Sequence, residues 1–230
     1  MATFDPTDAR RRSFVSRKLT AAGATFEDLG GGMVATSLPD IEAGAVERMA
    51  IADISALPRA GFKGAVALDW LHGQGLEFAD TPNASYRQPD GVLVTVLAPT
   101  EALLLSPLAA PALSVTELAA ACSLDDGVAR FPVPRADMNF EFLICGDCAA
   151  DMFAKVCGVD LRATAFAVDA VAQTSVARLT AIIVRADLGA IPAFRLLGDS
   201  ASAEYMWDSL LDAMAEYDGA VVGSNDVRLT

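Results

Sequence analysis

Residue types that do acid–base, metal and redox chemistry are sparse in this chain, and their spacing decides what they could do. His72 is the sole histidine among 230 residues. A multi-histidine metal site therefore fails by counting, as does a Ser-His-Asp arrangement with a histidine to spare. His72 stands near the expected end of a helix, where an imidazole satisfies free carbonyls and the helix dipole. Cys145-Gly146-Asp147-Cys148 has the spacing of a redox pair or of half a zinc site. There is no second C-x-x-C, no histidine is near, and Cys157 alone leaves a tetrahedron incomplete. Cys148, Met152, Val156 and Cys157 recur at helical spacing, which reads as an apolar stripe of structural thiols, with Cys145 ending a strand. Gly30-Gly31-Gly32 lacks the following Lys-Ser/Thr and long helix that let a glycine run cradle phosphate. No G-x-G-x-x-G follows a strand, so no dinucleotide fold is indicated. Carboxylates are numerous, but sequence sets none opposite another in an apolar pocket, as an acid/base pair requires. No catalytic, cofactor-binding or metal-binding residue is assigned, and the chain is expected to work as one part of a larger assembly.

Composition narrows the setting. Hydrophobic residues make up 53% against 20% charged, enough to fold without disulfide or metal staples. Thirty acidic and 17 basic side chains give a net charge of -13, a surface that repels nucleic acid and anionic membranes alike. Arg10-Arg11-Arg12 is the local exception; no apolar signal core follows it, and it reads as the solvated face of a helix. No apolar run approaches the roughly 20 residues of a membrane span. Four cysteines in a chain so rich in core residues fit reduced thiols and a cytoplasmic location better than a disulfide framework.

The elements that must position these residues follow from periodicity and turn chemistry. Val15, Leu19 and Ala22 predict a first helix over Thr7 to Ala22. Thr25 to Asp28 and Met33 to Ser37 predict two strands around the glycine turn. Asp40 is expected to cap a helix carrying Ile41, Ala45, Val46 and Met49. Ile51 to Ser55 and Leu57 to Lys63 read as extended, Gly64 to His72 as a helix, and Pro82 to Pro89 as a loop. Val92 to Leu97 and Ala102 to Leu105 read as buried strands, and Val115 to Cys122 as a helix. The proline-bearing stretch Ser123 to Arg135 predicts a boundary, giving two small halves at 1–125 and 126–230 that could still pack as one unit. Beyond it, Met138, Phe140, Phe142 and Ile144 alternate with Asn139 and Glu141 as in a strand, and a short helix ends at Gly158. Strands are expected at Thr174 to Ala177, Ala181 to Arg185 and Ala193 to Leu197. A closing helix, Ala201 to Tyr217, is capped by Asp199 or Ser200, with Met206, Trp207, Leu210, Leu211 and Met214 on one stripe. Grouped this way, the elements argue for α+β rather than alternating βαβ.

Particular runs resemble a known family. Ala52-Asp53-Ile54-Ser55, then Gly64-Ala65-Val66-Ala67 and Trp70-Leu71, resemble the Asp-Leu-Ser … Gly-x-x-Ala-x-x-Phe-Leu signature of glycine-cleavage T-proteins and related folate-dependent aminomethyltransferases. Cys157-Gly158-Val159-Asp160-Leu161-Arg162, Ala172-Gln173-Thr174, Ala177-Arg178, Ala181 to Arg185, Phe194 to Leu197 and Tyr205-Met206-Trp207-Asp208 are similar to the γ subunit of heterotetrameric sarcosine oxidases. The similarity runs from about Arg48 to Met214, while Arg12-Ser13-Phe14 to Phe26 is nearer to related complexes that oxidise N-methylglutamate.

The resemblance implies two α+β halves like the first domains of T-proteins, and a structural companion to α, β and δ-type subunits. Those partners are implied to hold FAD, FMN, NAD and zinc, to oxidise an N-methyl amino acid and to pass the one-carbon unit to tetrahydrofolate; this chain is implied to hold no cofactor. Where T-proteins keep folate-engaging carboxylates in a Gly-x-x-Asp-Asp context, Gly91-Val92-Leu93-Val94-Thr95 stands here. A length of 230 residues also leaves no room for a third T-protein domain. The alternatives are a free-standing folate-binding aminomethyltransferase-like protein and a thiol protein using Cys145 and Cys148.

Overall fold

The computed structural model describes residues 9, 11–29, 32–108 and 112–228. A two-residue strand β1 (Arg11–Arg12) precedes a short helix α1 (Ser16–Ala21), then strands β2 (Thr25–Asp28) and β3 (Gly32–Ser37). Helix α2 (Ala45–Arg48) leads into β4 (Ala50–Asp53), β5 (Arg59–Lys63) and helix α3 (Ala67–Gly73). An antiparallel meander follows, β6 (Ala84–Arg87), β7 (Leu93–Ala98) and β8 (Glu101–Leu105), and then helix α4 (Leu113–Ala121). Next come β9 (Phe131–Val133), α5 (Arg135–Met138), β10 (Asn139–Cys145) and α6 (Ala149–Ala154). The chain continues through β11 (Val171–Val176), β12 (Leu179–Arg185), β13 (Ala193–Asp199), α7 (Ala203–Met214), β14 (Ala220–Val221) and α8 (Ser224–Arg228).

Among the described residues three sheets form: β1-β3-β2, the five-stranded β6-β7-β8-β5-β9 and the six-stranded β11-β12-β13-β10-β4-β14. Nearly every ladder is antiparallel, which makes the fold α+β, as expected. Phe140, Phe142 and Ile144 of β10, with Phe194 and Leu196 of β13, pack against Met152 and Phe153 of α6 and Met206, Trp207 and Leu210 of α7. Phe62, Val94, Val96 and Leu104 pack against Leu68 and Leu71 of α3 and Val115 of α4. Between the sheets, Leu93, Leu97, Leu103 and Leu105 meet Val171, Val184 and Leu197. The layers therefore run helix, sheet, sheet, helix, and both faces of each central strand are dry. Gly198 makes room for this packing, since a Cβ there would stand 2.4 Å from Phe140 Cζ.

Several expectations need correcting. The first helix covers only Ser16–Ala21, because the backbone of Arg11 and Arg12 is drawn into parallel pairing with β3. The Ser13 hydroxyl, accepting from the Val15 N–H at 3.0 Å, makes the turn between them. Arg10 and the first eight residues lie outside the described residues, as do Gly30 and Gly31 of the glycine turn. Asp40 is no helix cap; it sits at φ 57° in a turn, and α2 starts after Gly44. Pro82 to Pro89 contains the strand β6, four residues that neither proline interrupts. Pro132 sits in β9, an edge strand, where a missing N–H is tolerated. Asp199 does cap the closing helical run, accepting from the Ala201 N–H at 2.8 Å.

Strand pairing crosses the 125/126 point in both directions. β4 lies in the six-stranded sheet beside β10, and β9 completes the five-stranded sheet beside β5.

Candidate functional site: a buried charge layer and an edge cavity

Residues singled out for chemistry are scattered. His72, on the last turn of α3, stacks on Phe78 with ring centroids 4.0 Å apart, and its Nε2 is 3.0 Å from Asp80 Oδ1. Cys145 belongs to the core with Ala50, Ala52 and Leu143, whereas Cys148 packs with Met152 and Cys157 on the opposite face of the six-stranded sheet. Burial pushes the Cys145 thiol up to about 12, with the Glu47 carboxylate adding to it, so at neutral pH it is protonated. All four cysteines are free. Among the described residues, no group of three or more His, Cys, Asp or Glu side chains is placed to hold a metal ion.

Val94 and Thr95, the positions matched to folate-engaging carboxylates, are sealed inside β7 at 0% exposure. Val94 faces the helix layer. The Thr95 Oγ1 has no hydrogen-bond partner. Neither residue offers a carboxylate, and neither side chain reaches solvent, so the pair does not fit a folate-anchoring role.

The charges that the fold brings together lie elsewhere. Arg59 of β5 and Glu141 of β10 are fully buried, and Arg195 of β13 is 2% exposed. Arg195 Nε donates to Glu141 Oε1 at 2.6 Å and its Nη1 to the Ser106 carbonyl at 2.9 Å. Arg59 Nη1 is 3.6 Å from Glu141 Oε2. The Arg59 guanidinium donates to the carbonyls of Ser55, Leu57, Arg135, Ala136 and Asn139. Those bonds use all five of its N–H groups, the geometry that a planar fork allows and an ammonium does not. Burial pulls the Arg59 guanidinium down, and the Glu141 carboxylate holds it up. Asp53, also buried, accepts from the Ser55 N–H at 3.1 Å. Burial raises its pKa, against the hydroxyls of Ser13 and Ser55. This layer stitches β4, β5, β10 and β13 together. Each guanidinium faces backbone carbonyls and one shared carboxylate, and the buried Arg195 Nη2 and Glu141 Oε2 are left without a hydrogen bond.

Sequence reasoning missed Arg59, Glu141 and Arg195 because alternation sets Glu141 opposite Phe140 and Phe142 without saying what covers that face. The available signal was the company it keeps: Leu143 and Cys145 continue the same face of β10, and Ala193 and Leu197 flank Arg195 on its own.

One cavity of about 320 Å³ opens at the free edge of the five-stranded sheet. Pro58, Ala60, Val115, Ala119, Pro132 and Val133 give it apolar walls. Arg11 also lines it, about a third exposed, in an ion pair of 3.3 Å with the exposed Asp137. Arg59 contributes to the wall, but with its donors already spent.

These layers and their connections are the α+β fold of glycine-cleavage aminomethyltransferases and of sarcosine oxidase. In particular, a chain of the heterotetrameric sarcosine oxidase from Corynebacterium sp. U-96, solved with pyrrole 2-carboxylate, superposes with a TM-score of 0.67 at 19% identity. The match covers 91% of this chain and 97% of that one. The glycine cleavage system aminomethyltransferase T from Bartonella henselae gives 0.69 at 16% identity; 95% of this chain spans 62% of that enzyme. No protein-family model matches the sequence, and none of the curated proteins compared with it does. The α+β fold expected from the resemblance is thus the fold observed.

Proposed function

We propose that this chain is the γ-type companion subunit of a flavin-dependent complex that oxidatively demethylates an N-methyl amino acid such as sarcosine or N-methylglutamate. The observation that carries the reading is the extent of the structural match, which takes in 97% of a chain from a heterotetrameric enzyme. Two features support it. The buried charge layer is turned inward on the protein's own carbonyls and carboxylate, and the cavity is walled mainly by apolar side chains, with Arg11 and Thr116 beside them. In this reading FAD, FMN, NAD and zinc sit in α, β and δ-type partners in the cytoplasm, and tetrahydrofolate receives the one-carbon unit there. Purification of the assembly through a tag on this chain tests it: flavin-bearing subunits are expected in fixed ratio, and the chain alone is expected to be colourless and inactive.

The second reading is a free-standing folate-binding, aminomethyltransferase-like protein, favoured by the 95% of this chain that superposes on aminomethyltransferase T. Calorimetric titration with tetrahydrofolate separates the two, since one-site binding to the isolated chain belongs only to the second.

A further inference from the structure

We infer that the free edge of the five-stranded sheet, β9 with the segments on either side of it, is the docking face for a partner chain. That partner presents apolar side chains beside a carboxylate. The inference rests on the companion-subunit reading. Among the described residues, the exposed large hydrophobics are Leu124, Val128, Phe131, Met138, Val168 and Tyr205. Four of those six fall within 124–138, the stretch that contains β9 and α5. Phe131 and Met138 are 52% and 50% exposed and bracket residues that wall the 320 Å³ cavity. Apolar surface gathered beside an open apolar cavity is what the centre of an interface needs, because a partner's side chain filling the hole removes both from water.

Chemistry at this edge narrows the partner. Among the described residues β9 has a neighbour on one side only, and Pro132 in its middle has no N–H, so an added strand would find a blunted edge. Docking must therefore proceed through side chains. Of the two arginines on the cavity wall, Arg11 is the one whose donors are not spent on backbone carbonyls, and its bond to the exposed Asp137 is the weak, solvent-screened kind. A partner carboxylate arriving with the apolar group would meet that guanidinium as water is excluded. A second copy of this chain fits worse: a twofold contact here would set Arg11 against Arg11, and each copy carries a net charge of -13.

The test uses the complete assembly, purified through a tag on this chain from cells that make all its subunits. Phe131→Asp and Met138→Asp are compared with Val168→Asp and Tyr205→Asp, and Arg11→Glu is measured over a range of salt. Circular dichroism and melting of each free variant report folding. Phe131→Asp and Met138→Asp are expected to lower recovery of the flavin-bearing subunits at least tenfold while melting like the wild type. Arg11→Glu should weaken recovery most at low salt, and the two controls should retain it. Full recovery with both edge variants overturns the docking face and leaves the companion reading standing. Absence of flavin-bearing partners from the wild-type preparation overturns both. A wild-type chain that dimerises with itself through Phe131 overturns the choice of partner.

Discussion

At the scale of single residues, Glu141 is one carboxylate compensating two buried guanidiniums. Removing one member of a buried pair costs more than the pair contributes, because an uncompensated charge stays behind, typically about 3–5 kcal/mol. Glu141→Gln keeps the shape and removes the charge, so urea denaturation should show a loss of roughly that size. Glu141→Gln combined with Arg195→Met should cost less than the two changes summed, a non-additivity that a double-mutant cycle reads directly. Asp53 supplies a pH test. Its folded pKa lies above the ordinary 3.8, so the folded state holds the proton more tightly, and its contribution to stability falls as pH rises from about 3.8 through the raised value. Asp53→Asn retains an oxygen for the Ser55 N–H and removes the penalty. The variant should be more stable than the wild type at pH 7, with the difference closing below pH 3.8, as denaturation at the two ends would show. Asp160 works the other way: the Arg162 guanidinium and N–H draw it down to about 2, so its contribution is present above 3.8 and is lost as pH falls toward 2. Helical spacing grouped Cys148 with Met152 and Cys157, but the Phe78 and Asp80 partners of His72 were not legible in the sequence. Nor was the charge layer, because its members come from strands separated by dozens of residues and only the packed sheets bring them together.

At the scale of elements, strands were read more surely than their faces. The alternation in Phe140, Phe142 and Ile144 located β10, but alternation says nothing of whether the second face meets water or another sheet. Here Glu141 meets Arg59 of the second sheet, and Leu143 packs with Val34 of β3 and Val227 of α8. The hairpin between β11 and β12 is the element whose sequence and geometry disagree most. Its central residues, Ala177 and Arg178, have φ of 47° and 71°, the twin left-handed positions where Asn-Gly is preferred. The turn is held by the Ala177 N–H donating to the Val156 carbonyl at 2.8 Å and by the Tyr205 hydroxyl donating to the Ala177 carbonyl at 3.2 Å. Replacing Ala177-Arg178 with Asn-Gly should stabilise the protein by about 1 kcal/mol, read as a higher melting temperature. An unchanged or lower melting temperature would mean that the Arg178 side chain contributes to the fold what the backbone loses.

At the scale of the whole molecule, the α+β class followed from the grouping of strands and helices. The exchange of β4 and β9 between sheets did not, because residues 123–135 look like a linker wherever proline and acidic turns concentrate. Only the pairing of Phe131 to Val133 with β5 shows that this stretch is part of a sheet. The exchange ties the two halves of sequence into one layered body with an uncovered edge. The apolar surface left uncovered at that edge is where the proposed partner would dock. The most direct measurement is a tagged purification from cells that make the whole assembly, followed by absorbance and activity of the complex and of the chain alone. Stoichiometric flavin-bearing partners and N-methyl amino acid oxidation are expected in the complex, with a colourless, inactive free chain. A stable, partnerless chain that carries out folate-dependent aminomethyl transfer by itself would contradict the companion-subunit reading.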